Sequence, residues 1–359
     1  MANLDNLESI QELDRENILG NIQDFPDQVE KCWEDWQKIA LPTPFINAKS
    51  ILILGMGGSG QGGGIVASMA EKETNVPIIV FHDYDIPGWV DKNTLVIAVS
   101  YSGSTEETLV SFSQACKLTD KLITISTGGE LYSLGTQHKA LHYRVHYGSQ
   151  PRAAIGFNLT SVLAILSKLH ILEVSNDDVK EAVLLLRGLN KKLDVNVSKS
   201  RNGAKILAEK VYGKIPIIFG SGNLSEVARR IKGSFNENAK TASYSEILPE
   251  LNHTSLVGLE FPDDLKQKLF FIVLQSKYDN PRNTLRQNIT AQIIQQKRIP
   301  CETIMMQPSG NPIAEVLQII HFFDFTSYYL AILNNVAPEP VEIIKFLKDK
   351  LNEQPINKE

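Results

Sequence analysis

The fold of this chain is decided by the stretch Thr94-Leu95-Val96-Ile97-Ala98-Val99-Ser100-Tyr101-Ser102-Gly103-Ser104-Thr105-Glu106-Glu107-Thr108. Its first six residues form an apolar, β-branched run without a helical period, which predicts a buried strand. From Glu106 onward the pattern predicts a helix, with acidic residues in its first turn. The Ser, Gly and Thr residues between the two place hydroxyls and backbone N–H groups at a helix N-terminus, where α/β proteins hold anions, most often phosphates. A polar turn capped by Ser104 or Thr105 is the alternative, but four Ser/Thr hydroxyls in six residues exceed what one cap needs.

Length, charge and cysteine content limit the class of the protein. A chain of 359 residues exceeds what one core usually serves, so we predict two domains, residues 1–153 and 154–359. The formal net charge is −5 and no basic stripe is present, which argues against nucleic acid as a partner. We find no apolar run that is long enough to span a bilayer and no signal-peptide pattern, so we expect a cytoplasmic protein without a membrane segment. Widely spaced cysteines without a Cys-x-x-Cys pair indicate reduced thiols, namely Cys32, Cys116 and Cys301.

A glycine-rich loop follows the first predicted core strand, residues 50–54. Seven of the ten residues 55–64 are glycine, and we predict that a helix begins after them at Ile65. The spacing Gly55-x-Gly57-x-x-Gly60 also fits a dinucleotide fingerprint, with Asp83 or Asp85 as the acidic residue for a ribose hydroxyl. Against that reading, Ser59 lies inside the loop and a second hydroxyl-rich loop follows the strand over 94–99. Two such loops suit one sugar phosphate better than a pyrophosphate.

The remaining pattern predicts a duplicated α/β architecture. Residues 4–40 predict two helices separated by Pro26, and residues 158–197 predict a helical crossover. A second strand, loop and helix over 215–240 repeats the arrangement of the glycine loop, but its loop has fewer hydroxyls and we interpret it as structural. We therefore predict an α/β fold of two subdomains, each a mainly parallel sheet flanked by helices. We also predict that the loop over 126–130 forms a third wall of the phosphate pocket.

Several polar residues are candidates for chemistry, although each has an ordinary structural alternative. Arg152 lies in a small-residue turn and either forms a surface salt bridge or projects into the pocket. Glu237 lies between two asparagines that can orient a carboxylate, and His253 lies in a Pro-Glu-x-Asn-His turn; these two are candidates for a base and an acid. Each is more often a capping or surface group. Histidines recur every four residues without a carboxylate, which favours structural histidines over a metal site: His138, His142 and His146.

Taken together and in order, five motifs resemble the bifunctional phosphoglucose/phosphomannose isomerases, which are members of the sugar isomerase (SIS) superfamily. The resemblance covers nearly the whole chain. The Ser-Tyr-Ser-Gly loop alone marks only a sugar-phosphate domain, whereas its combination with the later motifs is specific. The motifs are Gly-x-Gly-Gly-Ser-Gly at 55–60, Ser-Tyr-Ser-Gly-x-Thr-Glu-Glu at 100–107, Pro151-Arg152, Asn-Glu-Asn-x-Lys at 236–240 and Leu-Pro-Glu-x-Asn-His at 248–253.

The resemblance implies an activity and a set of site residues. The activity is the interconversion of glucose 6-phosphate, and of mannose 6-phosphate, with fructose 6-phosphate through a cis-enediol, as part of glycolysis and gluconeogenesis and without a metal or redox cofactor. Arg152 is implied to stabilise the enediolate, Glu237 to transfer the proton and His253 to open the sugar ring. A C-terminal lysine is implied at Lys348, with Lys345 as the second choice. The implied phosphate ligands are Ser59, Ser100, Ser102 and Thr105.

The resemblance further implies a homodimer, because the histidine of the family reaches the active site from the partner subunit. Three alternatives stay open at this point. A non-catalytic sugar-phosphate sensor needs the hydroxyl loops but neither Glu237 nor His253. A nucleotide-dependent oxidoreductase would use the glycine loop and bind NAD. An amino-sugar-phosphate isomerase or synthase uses the same superfamily scaffold.

Overall fold

A computed structural model describes residues 3–354. The strands are β1 (Ser50–Leu54), β2 (Ile78–Phe81), β3 (Thr94–Val99), β4 (Leu122–Ser126), β5 (Leu141–Arg144), β6 (Ile215–Gly220), β7 (Tyr244–Ile247), β8 (Leu269–Leu274) and β9 (Cys301–Ile304). The helices are α1 (Leu7–Leu13), α2 (Ile18–Gln23), α3 (Phe25–Gln37), α4 (Thr43–Ile46), α5 (Gly57–Ala70), α6 (Glu106–Ala115), α7 (Gly129–Gln137), α8 (Ile155–Lys168), α9 (Asn176–Leu193), α10 (Gly203–Val211), α11 (Ser225–Glu237), α12 (Pro281–Gln296), α13 (Pro312–Leu333) and α14 (Glu342–Asn352).

The first sheet is parallel throughout and has the strand order β2-β1-β3-β4-β5. Every residue of the central strand β3 is buried, as its apolar sequence predicts. The chain passes from β1 outward to β2 and then returns to the other side of β1 at β3. The loops after β1 and β3 therefore diverge and leave a crevice at the carboxyl ends of these strands, which is where doubly wound folds bind ligands.

The second sheet repeats the topology of the first four strands. Its order is β7-β6-β8-β9, again with all pairs parallel. The predicted fold class, two parallel sheets flanked by helices in a doubly wound order, is confirmed. The placement of a domain boundary at residue 154 stays a prediction.

One hydrophobic core joins the two halves, with α13 at its centre. This helix contacts α9, α10 and α11, and nearly all of its side chains are buried. Among residues 3–354, α13 is the helix that is long and apolar enough to cross a membrane. In its most apolar stretch of 18 residues, 94% is buried inside the protein. Our statement that no apolar run is long enough to span a bilayer was therefore wrong. A core helix that is buried on all sides has the same apolar composition as a membrane helix, so length and composition alone do not separate the two.

Three predicted boundaries differ from the structure. The helix after β1 begins at Gly57 and not at Ile65. The glycines of its first turns serve close packing and not a loop, since a Cβ on Gly60 would come within 2.5 Å of the Gly55 carbonyl oxygen. The N-terminal region forms three helices and not two, with Pro26 in the first turn of α3, where no backbone N–H is needed. The helix predicted to reach Lys240 ends at Glu237.

Candidate active site

A cleft of about 410 Å³ opens at the carboxyl ends of β1 and β3. Its walls come from the first turn of α5, the loop before α6, a 3₁₀ turn over Pro151–Ala154, the end of α11 and one face of α14. The sequence-predicted residues that line it are Ser59, Ser102, Thr105, Arg152, Glu237 and Lys348. A larger depression of about 520 Å³ lies beside the edge strand β2, but it contains none of the predicted residues.

Two helices begin at the cleft with no hydrogen bond from a side-chain cap. The residue before α6 is Thr105, and its hydroxyl does not bond to the first turn of the helix but lies 2.8 Å from Ser100 Oγ. Helix α5 likewise starts without a side-chain cap. The capping alternative is therefore not what the structure shows. Both helix starts direct positive partial charge toward the cleft, which favours an anion there.

The predicted phosphate ligands differ in whether they are exposed to the cleft. Ser102 is exposed, whereas Ser100 is fully buried beneath the loop and does not line the cleft. The Ser59 hydroxyl accepts the backbone N–H of Tyr101 at 3.1 Å, so it also ties the glycine loop to the serine loop. The role of all four hydroxyls as phosphate ligands stays a prediction.

The loop over 126–130 supports the serine loop from behind and is not a wall of the cleft. No residue of this segment lines the cleft, contrary to our prediction. Gly103 has φ +71°, and a Cβ on it would lie 1.9 Å from the Gly128 carbonyl oxygen. The Leu131 N–H also donates to the Gly103 carbonyl at 2.8 Å. The glycine contact fixes the shape of the serine loop without adding a ligand.

Arg152 is buried, with 6% of its side chain exposed, and it projects into the cleft. Its Nε donates to Asn238 Oδ1 at 2.9 Å, and its Nη2 donates to the backbone carbonyls of Pro338 at 3.0 Å and Glu339 at 2.6 Å. Burial lowers the pKa of Arg152 from its ordinary value, while the charges of Glu237 and Glu339 oppose the shift. A guanidinium remains protonated near neutral pH, so the cleft holds a fixed positive charge.

Glu237 is the last residue of α11, and its carboxylate faces this guanidinium. The distance from Arg152 Nη1 to Glu237 Oε2 is 3.8 Å, and 28% of the glutamate side chain is exposed. The flanking asparagines do not orient this carboxylate as predicted, because Asn236 donates to the Thr241 carbonyl and Asn238 bonds to Ser327 and Arg152. The carboxylate thus keeps an open side toward the cleft.

The C-terminal helix α14 forms the outer wall. Lys348 lines the cleft together with Ile344, Leu347 and Leu351, whereas Lys345 does not. His253 lies in a 3₁₀ turn after β7, is exposed, and is not among the residues that line the cleft of its own chain. The structure therefore brings Arg152, Glu237 and Lys348 together and leaves His253 apart.

Three residues that line the cleft or contact its lining were not predicted as site residues. Gln150 lines the cleft and donates to the Glu339 carboxylate. Glu339 lies between Pro338 and Pro340, and this rigid Pro-x-Pro pattern is a sequence signal that could have drawn attention to it. Lys240, next to the cleft, donates to the backbone carbonyls of Glu237 and Pro338.

The corresponding loop of the second half, residues 220–223, is closed by side chains from the segment after β8 and from α12. Ser221 donates to the Asp279 carboxylate, and Gln287 donates to Ser221 at 2.8 Å. These contacts agree with our interpretation of this loop as structural. Among residues 3–354 no group of three or more His, Cys, Asp or Glu side chains could hold a metal ion. His142 bonds to Thr124 at 2.8 Å, as expected for a structural histidine.

The doubled parallel sheet and the hydroxyl-rich cleft define a protein built from SIS domains. The model of the family described as "SIS domain" matches residues 44–169, and that described as "Bacterial phospho-glucose isomerase C-terminal SIS domain" matches residues 200–351. The fold is also that of a tagatose-6-phosphate ketose/aldose isomerase from Escherichia coli, at TM-score 0.69 and 13% identity, with 89% of this chain and 94% of that chain covered.

Two curated relatives then give the particular family. One is a bifunctional phosphoglucose/phosphomannose isomerase of Caldicellulosiruptor bescii, 34% identical over 93% of this chain and 98% of its own. The other, from Aquifex aeolicus and of the same name, is 33% identical over 94% of this chain and 98% of its own. The chain belongs to the bifunctional phosphoglucose/phosphomannose isomerase family.

Proposed function

We propose that this protein interconverts glucose 6-phosphate, and also mannose 6-phosphate, with fructose 6-phosphate. The observation that carries the proposal is the Glu237 carboxylate facing the Arg152 guanidinium at 3.8 Å, in a cleft whose opposite wall is a hydroxyl-rich anion site. A base, a fixed cation and a phosphate anchor are the parts that an aldose–ketose isomerisation requires.

The phosphate is held at the starts of α5 and α6. The hydroxyls of Ser59, Ser102 and Thr105 line this part of the cleft, and Ser100 holds Thr105 from below. These contacts are made equally in the ground state and the transition state, so they set affinity and place the sugar chain toward Arg152.

Proton transfer takes place between C1 and C2 of the open-chain sugar. Glu237 removes the C2 proton of the aldose, and the electron pair forms the C1–C2 double bond while the carbonyl oxygen on C1 becomes an oxyanion. The Arg152 guanidinium stabilises that negative charge in the enediolate. The hydroxyl proton then passes from the C2 oxygen to the C1 oxygen, and return of the carbon-bound proton to C1, with re-formation of a carbonyl at C2, gives the ketose. One carboxylate on one face serves both steps.

Ring opening precedes this transfer, and we assign it to His253 of a second copy of the chain, with Lys348 at the outer wall. Two observations support a shared site: His253 is exposed, and it lies outside the cleft of its own chain. We therefore propose a homodimer in the cytoplasm that serves glycolysis and gluconeogenesis. Mixing Glu237→Gln and His253→Ala subunits after reversible dissociation should restore activity, since one site of each mixed dimer has both groups. No recovery, with mixed dimers confirmed by mass spectrometry, would assign both groups to one chain.

The test of the proposed function is solvent exchange. With purified protein in D₂O, glucose 6-phosphate should become fructose 6-phosphate, and recovered glucose 6-phosphate should carry deuterium at C2. Glu237→Gln should lower kcat by about 10²–10⁴-fold with KM nearly unchanged, because it keeps the shape and removes the proton acceptor. Glu226→Gln is the matched control, as Glu226 lies on the same helix with 32% of its side chain exposed. Wild-type exchange in Glu237→Gln would place the base elsewhere, and no product from either aldose would refute the function.

A further inference from the structure

Lys240 lies next to Glu237 and Arg152 but has no part in the reaction as described above. We propose that Lys240 is a positioning residue, whose ammonium joins the end of α11, which carries Glu237, to the segment that holds Arg152. This inference rests on the proposed function only for its kinetic consequence, since the contacts themselves do not depend on the reaction.

The backbone at Lys240 directs its side chain back over the end of α11. Lys240 has φ +51°, a left-handed conformation that commonly ends a helix. Its Nζ donates to the Glu237 carbonyl at 2.8 Å and lies 3.4 Å from the Asn238 carbonyl. A lysine there satisfies carbonyls that have no partner within the helix and offsets the negative end of the helix dipole.

The same ammonium also bonds to a part of the chain that is distant in sequence. Nζ of Lys240 donates to the Pro338 carbonyl at 2.9 Å, and Nη2 of Arg152 donates to that same oxygen at 3.0 Å. The two cations therefore share one acceptor on the segment between α13 and α14. Arg152 is bonded to the next carbonyl as well, that of Glu339.

These contacts link the base and the cation through the backbone. The side chains of Glu237 and Arg152 meet through a 3.8 Å ion contact, which is too long to fix their relative position, and Arg152 is also bonded at 2.9 Å to Asn238, the residue after Glu237. The link through Lys240 and Pro338 adds a second constraint, which also includes the segment before α14. It also secures the segment that leads into α14, the wall that carries Lys348.

The charge of Lys240 matters because charged groups surround it. Arg152, on the 3₁₀ turn, repels the ammonium, whereas Glu237 on α11 and Glu339 on the segment before α14 attract it. Lys240 is an exposed residue, but three carbonyls enclose its ammonium. Partial burial, together with Arg152, lowers the pKa of Lys240 to about 8. The ammonium is thus mostly charged at pH 7 and loses its proton as the pH rises through about 8.

The consequence for catalysis is a change in kcat and not in KM, because the phosphate site is built from other elements. Lys240→Met removes the charge and the donors at similar length, and we expect kcat to fall by about 10- to 100-fold, the effect of a small displacement of reacting groups. Lys240→Arg keeps the positive charge at every accessible pH. Its log kcat should recover at least half of the decrease that Lys240→Met causes. Lys214→Met is the control, since the Lys214 ammonium also donates to a carbonyl, that of Gln267, at the opposite end of β6.

Two further readouts separate positioning from general destabilisation. The alkaline decline of wild-type kcat through about pH 8 should move upward in Lys240→Arg, because arginine keeps its proton. Backbone hydrogen exchange over residues 334–352, followed by mass spectrometry, should be faster in Lys240→Met and unchanged in Lys214→Met. A wild-type kcat in Lys240→Met, or a lower kcat without faster exchange, overturns the proposal. A wild-type protein without isomerase activity refutes the proposed function instead, and the exchange comparison then still decides whether Lys240 holds the segment.

Discussion

A buried ion pair behind the cleft gives the largest stability effect that we expect from the removal of a single charge. Asp324 on α13 accepts hydrogen bonds from Arg230 Nη2 at 2.9 Å and from Ser234 Oγ at 3.0 Å. Only 3% of the Arg230 side chain and 10% of the Asp324 side chain are exposed. The same Arg230 nitrogen donates to the backbone carbonyl of Arg152 at 3.3 Å, so this pair also supports Arg152 at the cleft.

The perturbation is Asp324→Asn, which keeps the shape of the side chain and removes its charge. Burial raises the pKa of the Asp324 carboxyl, and the Arg230 charge opposes that rise. Since a guanidinium does not release its proton, the carboxylate is the form that Arg230 requires at neutral pH. Its loss leaves a buried cation without a counter-charge, and we expect the free energy of unfolding to fall by about 3–5 kcal/mol.

The measurement is chemical denaturation at pH 7, with an exposed ion pair as the control. Asp27 lies 2.7 Å from Arg187 with 69% of its side chain exposed, so Asp27→Asn should cost less than about 1 kcal/mol. The double variant Arg230→Met/Asp324→Leu removes both charges and should recover at least half of the loss, because apolar side chains often replace a buried pair without cost. With the single variants Arg230→Met and Asp324→Leu, a double-mutant cycle gives the coupling energy.

The reasoning would be refuted if Asp324→Asn cost no more than Asp27→Asn. Such a result would mean that the Arg230 charge is compensated by water or by other groups. A loss as large in the double variant as in Asp324→Asn would instead show that packing around α13, and not charge, sets the stability. As a separate readout, kcat should fall in Asp324→Asn. It should stay low in the double variant even though stability is recovered, because that variant also lacks the hydrogen bond from Arg230 to the Arg152 carbonyl.

Three other perturbations test the site and the core. Ser102→Ala and Thr105→Ala should each raise KM by the equivalent of about 1–3 kcal/mol with kcat little changed, and an unchanged KM in both would remove the phosphate assignment. Gly103→Ala should lower the free energy of unfolding by at least about 1 kcal/mol, since φ is +71° and the new Cβ would meet the Gly128 carbonyl; wild-type stability would contradict that contact. Burial lowers the pKa of His321 to about 3, so folding should lose up to about 1.4 kcal/mol per pH unit as the pH falls below the unfolded-state value of 6.5. His321→Gln should flatten this dependence in denaturation curves between about pH 6.5 and 4.5, and an unchanged slope would assign it to other groups.

The sequence by itself determined the fold class, the main strands and helices around the cleft, and the family of the protein. The strand over 94–99 and the helix start at Glu106 are observed where the pattern predicts them, because apolar runs and acidic first turns act locally. The duplication of the α/β unit was also predicted from the sequence, since the order of strand, loop and helix recurs at β6 and α11. Motif resemblance assigned the family, which the relatives confirm.

The tertiary structure decided the contacts that arrange these residues, because such contacts join segments that are distant in the chain. Glycine spacing does not reveal that Gly103 packs on Gly128, nor that the loop over 126–130 supports the site without lining it. The asparagines beside Glu237 suggested local hydrogen bonds to its carboxylate, but Asn238 instead holds Arg152, which lies 86 residues earlier in the chain. Likewise, the shared Pro338 carbonyl that joins Arg152 to Lys240 exists only once α11, the 3₁₀ turn and the segment before α14 have packed together. Hydrogen bonds between buried polar groups are fixed by the global packing, so no local pattern specifies them.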